Sequence, residues 1–251
     1  MNSQPYSIGV FFLTAKCNMR CHFCITDNGL SSMRYDQALR LLDVASARGI
    51  GSLVLGGGEP FTWKPDVLRL AGVAKGRGFV LQVGTNGLHL PEGYERRDCV
   101  DRYVLPLDAR DAASHNRMRV CAGSHHAIIL DRLNTLRSAG KEVTVSTVLT
   151  SKNVAELPEL ARYLAAYVRG GGRLHAWHLY RFIPQGRGGA VNAAALDLPE
   201  DAYDAACAGV KAMDLPFTTY KRKDMRHSKT VDFFWHEGEK LCIGSEVWGG
   251  L

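Results

Sequence analysis

The chain has 251 residues, 46% of them hydrophobic and 22% charged, with a formal net charge of +6. That composition supports a sizeable core in one α/β domain, alone or with an appendage, and the positive balance points toward anionic partners. No apolar run reaches the ~18 residues of a membrane span, and the polar, uncharged segment Met1–Ser7 lacks the basic and apolar regions of a secretion signal, so no membrane partner and a cytoplasmic location are expected.

In chain order, short apolar runs alternate with longer amphipathic stretches. Ile8–Leu13, Ser52–Leu55, Phe79–Val83, Val100–Leu107, Val143–Leu149 and Leu174–Ile183 read as strands. Tyr35–Ala47, Lys64–Lys75, His126–Ala139 and Val154–Val168 read as helices, while His89–Arg97 is short and only weakly helical. Gly49, Gly76, Gly78 and Gly140 fall where helices should stop. Strands that alternate with crossovers predict a parallel sheet with outer helices, curled by right-handed connections into a barrel or part of one. Leu198–Leu251 breaks the rhythm. Pro199–Met213 predicts a helix, a basic stretch follows, and Val231–Trp235 and Leu241–Ile243 predict two antiparallel strands joined by a turn at His236–Glu239. This segment is expected to close the barrel.

Seven cysteines is an odd number, and Cys99, Cys121, Cys207 and Cys242 stand singly, which is no disulfide framework. The other three form Cys17-Asn-Met-Arg-Cys21-His-Phe-Cys24, directly after the first strand. Thiolates are soft ligands for zinc or for iron–sulfur clusters. Structural zinc takes four ligands in paired spacings, and no second pair follows here, although His22 lies inside the loop. An electron-transfer cluster brings four cysteines. Three leave one iron of a four-iron cluster open.

Cys-x3-Cys-x2-Cys after the first strand, with Phe23 before the last cysteine, resembles the cluster loop of the radical S-adenosylmethionine superfamily. Gly56-Gly-Gly-Glu-Pro60 after the second strand, Thr85-Asn-Gly87 after the third, His115-Asn-Arg-Met-Arg119 after the fourth and Ile183-Pro-Gln-Gly-Arg187 at the end of the sixth resemble further motifs of that family, in order. The chain departs from the pattern at Val120, where the family has glycine. The resemblance implies a partial (β/α)6 TIM-like barrel over residues 1–195, with the motifs gathered at the C-terminal strand ends, and a short C-terminal α+β appendage, 196–251, that caps the substrate.

It further implies a [4Fe-4S] cluster on Cys17, Cys21 and Cys24, with S-adenosyl-L-methionine bound to the open iron through its amino and carboxylate groups. One electron passed to the sulfonium would release a 5′-deoxyadenosyl radical, and a one-electron reductant of flavodoxin or ferredoxin type would supply it. Gly57 and Gly58 would let the backbone approach the cofactor, and Glu59 would take the methionine amino group. Asn86 belongs to the same cofactor set. Arg119 offers a guanidinium fork for a carboxylate, Phe23 would lie by the adenine, Ser146 or Asn153 would hold the ribose or carboxylate, and Phe182 and Ile183 would contact adenine.

No cysteine-rich extension follows residue 190, so a single cluster is expected. The outline resembles small single-cluster members such as viperin-like nucleotide dehydratases and cytosylglucuronate decarboxylases. The expected activity is hydrogen abstraction from a small anionic substrate, a nucleoside, nucleotide or sugar acid, leading to decarboxylation, dehydration or rearrangement. Lys221, Arg222, Lys223, Arg226 and His227, facing the barrel mouth, are candidate anchors together with Tyr180 and Arg181. One alternative is a peptide-modifying maturase, which would need leader recognition. Another is a non-catalytic iron–sulfur or zinc protein that binds nucleic acid through the basic stretch, with Tyr220, Phe233, Phe234 and Trp235 stacking bases. The ordered motifs weigh against nucleic acid.

Overall fold

The computed structural model describes residues 7–249. Residues 1–6 of the polar N-terminal segment lie outside them. In chain order come β1 (Ile8–Thr14), the two-residue β2 (Arg20–Cys21), α1 (Tyr35–Ala47), β3 (Ser52–Gly57), α2 (Val67–Gly76), β4 (Val80–Gly84) and β5 (Arg102–Pro106). Next are α3 (Ala112–Met118), β6 (Arg119–Val120), α4 (His125–Ser138), β7 (Glu142–Leu149), α5 (Leu157–Arg169) and β8 (Arg173–Arg181). The short α6 (Gly186–Gly189) and α7 (Ala193–Leu196) lead to α8 (Glu200–Lys211), β9 (Thr218–Arg222), β10 (Val231–Glu237), β11 (Lys240–Ile243) and α9 (Gly244–Val247). The 89–97 connection carries only a 3₁₀ turn, Tyr94–Arg96.

One sheet runs β11-β10-β1-β3-β4-β5-β7-β8-β9. Its neighbours are parallel except for the β10–β11 hairpin. Each expected strand and helix is present, and the hairpin turn falls where the sequence places it. The C-terminal segment differs from expectation. Instead of closing a barrel, it extends an open sheet at both margins: β9 adds to β8, and β10 adds to β1 with Val231 opposite Ile8. β9 escapes a periodicity search because its sequence, Thr-Thr-Tyr-Lys-Arg, has one apolar-bodied residue. It is held by its ladder to β8 and by the Tyr203 hydroxyl, which accepts from Arg222 N–H at 2.9 Å and donates to Leu179 O at 2.7 Å.

Side chains alternate across a strand, so the sheet has two unlike faces. Phe11, Leu13, Leu53, Leu55, Leu81, Val83, Tyr103, Leu105, Val143, Val145, Trp177 and Leu179 are buried in the main core. Each such side chain contributes roughly 1.5–3 kcal/mol relative to exposure. The alternate residues, including Phe12, Gln82, Val104, Ser146, Val148, His178 and Tyr180, are only half-buried and line the opposite, inner face. Asp66, Asp111 and Ser124 cap α2, α3 and α4 by accepting from backbone N–H groups, which starts these helices cleanly after the preceding loops. Among the described residues no helix is long and apolar enough to cross a membrane.

Candidate active site

The cysteine loop leaves the C-terminal end of β1 and is bracketed by three other strand-end segments. The first is the loop after β3. Gly58 N–H donates to Thr14 O at 2.6 Å and Glu59 N–H to Lys16 O at 2.8 Å. Gly57 has φ +127, and a Cβ there would lie 2.5 Å from Thr14 O; a Cβ on Gly58 would lie 2.2 Å from Lys16 O. Both glycines are therefore required by the backbone that feeds the cysteines, a reason that the sequence alone, pointing to cofactor approach, did not contain.

The second bracket is the residue pair of β6. It joins β2 antiparallel, with Cys21 opposite Arg119, and His22 N–H donates to Met118 O at 2.9 Å. The third is α6. Gly188 N–H and Gly189 N–H both donate to Cys24 O, at 3.0 and 3.1 Å, and Arg187 N–H donates to Thr26 O at 3.2 Å. The Arg187 guanidinium reaches Ala15 O at 2.7 Å, and Asn192 Nδ2 donates to His22 O at 3.1 Å. A cavity of about 540 Å³, lined in part by Cys17, Lys16, Ser32 and Arg187, opens beside the loop.

A polar chain ties the strand ends together behind the loop. Glu59 is fully buried and accepts from Thr85 Oγ1 and Asn86 N–H, each at 2.7 Å, and from Phe61 N–H at 3.2 Å. Burial pushes its carboxyl above the usual range, against the pull of these donors. Asn86 O accepts from His125 Nε2 at 2.8 Å, His125 Nδ1 accepts from His115 Nε2 at 2.7 Å, and His115 Nδ1 accepts from Asp108 N–H at 3.1 Å. The backbone donor at one end fixes the tautomer of both rings, and both are neutral: burial, then the Arg119 charge, push His115 down to about 2 and His125 to about 4. Asp108 also pairs with the guanidinium of Arg119, which lies 4.8 Å from the Phe23 ring centroid.

The stretch from β1 through α5 carries all of these contacts but those of α6. Residues 11–164 match the radical SAM superfamily. The chain belongs to that superfamily. Among curated relatives it is 30% identical over 186 residues to an AdoMet-dependent heme synthase of Methanosarcina barkeri, covering 70% of this chain and 50% of the relative. It is 28% identical over 183 residues to the mycofactocin maturase MftC of Mycobacterium tuberculosis, covering 70% of this chain and 44% of the relative. The chain thus spans about half the length of these radical SAM relatives. Among solved structures, the fold is similar to Streptococcus suis SuiB, with a TM-score of 0.67 and 13% identity, covering 88% of this chain and 50% of that one.

Membership implies a [4Fe-4S] cluster and S-adenosylmethionine. The radical SAM loop suits the cluster. Cys17, Cys21 and Cys24 are partly buried thiols, and no three His, Cys, Asp or Glu side chains among the described residues gather round one ion as structural zinc needs. A cluster instead places each thiolate on its own iron. Arg119 Nη1 points at Cys21 Sγ from 3.8 Å and Asn86 Nδ2 at Cys17 Sγ from 3.7 Å, the N–H to sulfur contacts that tune such a centre. Asn18 Nδ2, buried next to Cys17, has no partner. Burial pushes the Cys21 thiol up to about 11, so a bound cation must displace its proton. Cys121 follows β6, but its thiol turns to Ala122 O and Gly123 O.

The other residues singled out in the sequence fall into two groups. Phe23, Met118, Phe182 and Leu196 form a small buried cluster that Cys21 and Val148 join, which brings Phe23 and Phe182 together beside the cysteine loop. Ile183 follows and is half-buried. Ser146 lies on the inner face opposite Pro106 and His178. Asn153 is buried and its side-chain amide is spent on Asp108 O, at 2.7 Å, and Val148 O, at 2.9 Å.

The basic stretch does not face the barrel mouth as one patch, because strand alternation divides it. Lys221 pairs with Asp204 of α8 at 2.6 Å, Lys223 with Glu200 and Asp204 at 2.6 and 3.0 Å, and Arg181 with Glu200 at 2.9 Å, all toward the outer helix. Past β9, Arg226 and His227 turn back on Asp224 at 2.5 and 3.9 Å. Tyr180 and Arg222 belong to the inner face. Sequence reasoning missed His125, Asp108, His178 and the Gly188–Gly189 step. The His125-His126 pair, which begins four residues after Cys121, was a visible signal; the others carried none.

Proposed function

We propose that this radical SAM protein cleaves S-adenosylmethionine reductively and uses the 5′-deoxyadenosyl radical to abstract hydrogen from a small anionic substrate, with a lyase, decarboxylase or dehydratase outcome. The observation that carries the reading is the three-sided bracket around Cys17–Cys24, with Arg119 and Asn86 aimed at two of its sulfurs. When bound, the cluster supplies the electron for sulfonium cleavage. The chain's own residues hold and shield it. Arg119 balances thiolate charge, Phe23 and Phe182 wall off water, and Glu59 fixes the β3 and β4 ends to one another. A nucleoside, nucleotide or sugar acid is the substrate class favoured, in a cytoplasmic setting that keeps thiols reduced.

The test is anaerobic reconstitution with iron and sulfide, reduction by dithionite or flavodoxin, and assay for 5′-deoxyadenosine. Wild type is expected to form it and Cys21→Ala is not. Equal product from both, or none from an iron-loaded wild type, overturns the reading. A peptide substrate is the second reading, supported by the mycofactocin maturase among the relatives and by the solved complex of SuiB with its precursor peptide. Deuterium passing into 5′-deoxyadenosine from a labelled peptide, and from no small acid, would favour it.

A further inference from the structure

Three aromatic residues and one arginine meet on the inner face where β8 and β9 pair. His178 is opposite Tyr220 and Tyr180 opposite Arg222. The His178 ring meets the Tyr220 ring edge-on, with centroids 5.2 Å apart, and His178 Nδ1 lies 3.2 Å from the Tyr180 hydroxyl. The Arg222 guanidinium lies 4.8 Å from the centroid of the Tyr220 ring.

Arg222 differs from every other cation of the basic stretch named above. Lys221, Lys223, Arg226 and His227 each have a carboxylate within 4 Å, whereas Arg222 makes no ion pair among the described residues. Its Nε is buried and without a hydrogen-bond partner. Thr144 Oγ1, on the same face of β7 as Ser146, is also buried and unpartnered. A buried guanidinium N–H left unpaired costs free energy that an oxyanion would recover. Its backbone is not free to swing away, since Tyr203 holds Arg222 N–H from the other side of the sheet.

The place is also suitable. Phe182, Tyr180 and His178 are successive residues on one face, and Phe182 packs with Phe23 of the cysteine loop. Two residues of strand span about 7 Å, so Tyr180 and Arg222 lie roughly one small-molecule length below the loop. Val148, which packs with the same cluster, is the strand neighbour of Tyr180.

We propose that Arg222, Tyr180 and His178, with Tyr220 backing the guanidinium, form an oxyanion subsite that anchors the carboxylate or phosphate of the substrate. The guanidinium donates to the anion, the Tyr180 hydroxyl or the neutral imidazole adds a second donor, and Tyr220 fixes the fork by cation–π contact. This deepens the functional reading above and rests on it for the identity of the inner face as the reaction chamber. Lys221 and Lys223 serve the α8 interface instead, and Arg226 and His227 pair with Asp224.

The experiment is calorimetric titration of the cluster-loaded protein, with S-adenosylmethionine present, by inorganic phosphate and separately by glucuronate. Arg222→Gln is expected to weaken whichever anion binds by roughly ten- to a hundredfold, as loss of a charged hydrogen-bonding group implies. Arg222→Lys should recover part of the affinity, and Lys211→Gln, on the exposed end of α8, should leave it unchanged. Phosphate binding alone assigns a phosphate substrate, and glucuronate binding alone a carboxylate. No binding of either anion to wild type, or equal weakening by Lys211→Gln, overturns the subsite. Formation of 5′-deoxyadenosine separates the two readings. If it forms while Arg222→Gln binds both anions like wild type, the subsite alone is wrong. If it never forms but Arg222→Gln loses the anion, the radical reading fails and the subsite stands.

Discussion

A side chain on Gly188 would meet the carbonyl oxygen of Cys21 at 2.2 Å and Cys24 N at 2.9 Å. The two residues are 167 positions apart in the chain, yet α6 is pressed so closely on the cysteine loop that only a hydrogen fits between them. The loop's geometry therefore depends in part on α6, a segment that follows β8.

Gly188→Ala is therefore expected to displace the loop and not the sheet. Overpacking of this kind costs about 1–3 kcal/mol. Iron content and cluster absorbance after reconstitution should fall well below wild type while the far-ultraviolet circular dichroism is kept. Full cluster loading in the variant would show that the contact is dispensable.

The pair of neutral histidines gives a second expectation. His125→Leu leaves Asn86 O and His115 Nε2 without partners, at a cost of about 1–3 kcal/mol each way the network fails to relax. Chemical unfolding of the metal-free protein should show a lower midpoint with unchanged slope. Because Asn86 Nδ2 also reaches Cys17 Sγ, iron loading after reconstitution should fall with it.

Tyr203→Phe removes the hydroxyl that accepts from Arg222 N–H and donates to Leu179 O. Two buried backbone groups lose a partner, for an expected loss of about 1–3 kcal/mol. Hydrogen exchange should show faster opening of β9, whereas β7 and β4 keep their protection.

Acid stability follows from His178. Burial, then the Arg222 charge, hold its imidazole down at about 3, against an ordinary value of 6.5. Between those values the unfolded chain takes up a proton that the folded chain refuses, so stability is lost as pH falls from 6.5 toward 3. His178→Asn should flatten the dependence by up to about 1.4 kcal/mol per pH unit within that window. His115 and His125 act in the same sense, so a residual slope remains. An identical slope in wild type and variant would mean that His178 is charged in the fold.

Much of the candidate site is legible in the sequence. The cysteine trio, Gly57-Gly58-Glu59, Thr85-Asn86 and Arg119 are each local strings beside a strand whose apolar pattern is plain. What they do was less legible. Glu59 could be read as free for a ligand, yet its oxygens are taken by Phe61, Thr85 and Asn86. Asn153 could be read as a cofactor contact, yet its amide is engaged by two carbonyls. Motif spacing says where a residue enters the site and is silent on which neighbours claim its polar atoms.

By itself the sequence determined the alternating strands and helices, the three thiols and the superfamily, because alternation and spacing are properties of neighbours along the chain. Only the tertiary structure decided that β10 lies beside β1, that α6 locks the cysteine loop, and which cations of the basic stretch face inward. Those outcomes depend on pairings between distant segments and on the parity of a strand's register. A shift of one residue in β9 would exchange Arg222 for Lys221 on the inner face, and no composition or local pattern distinguishes the two.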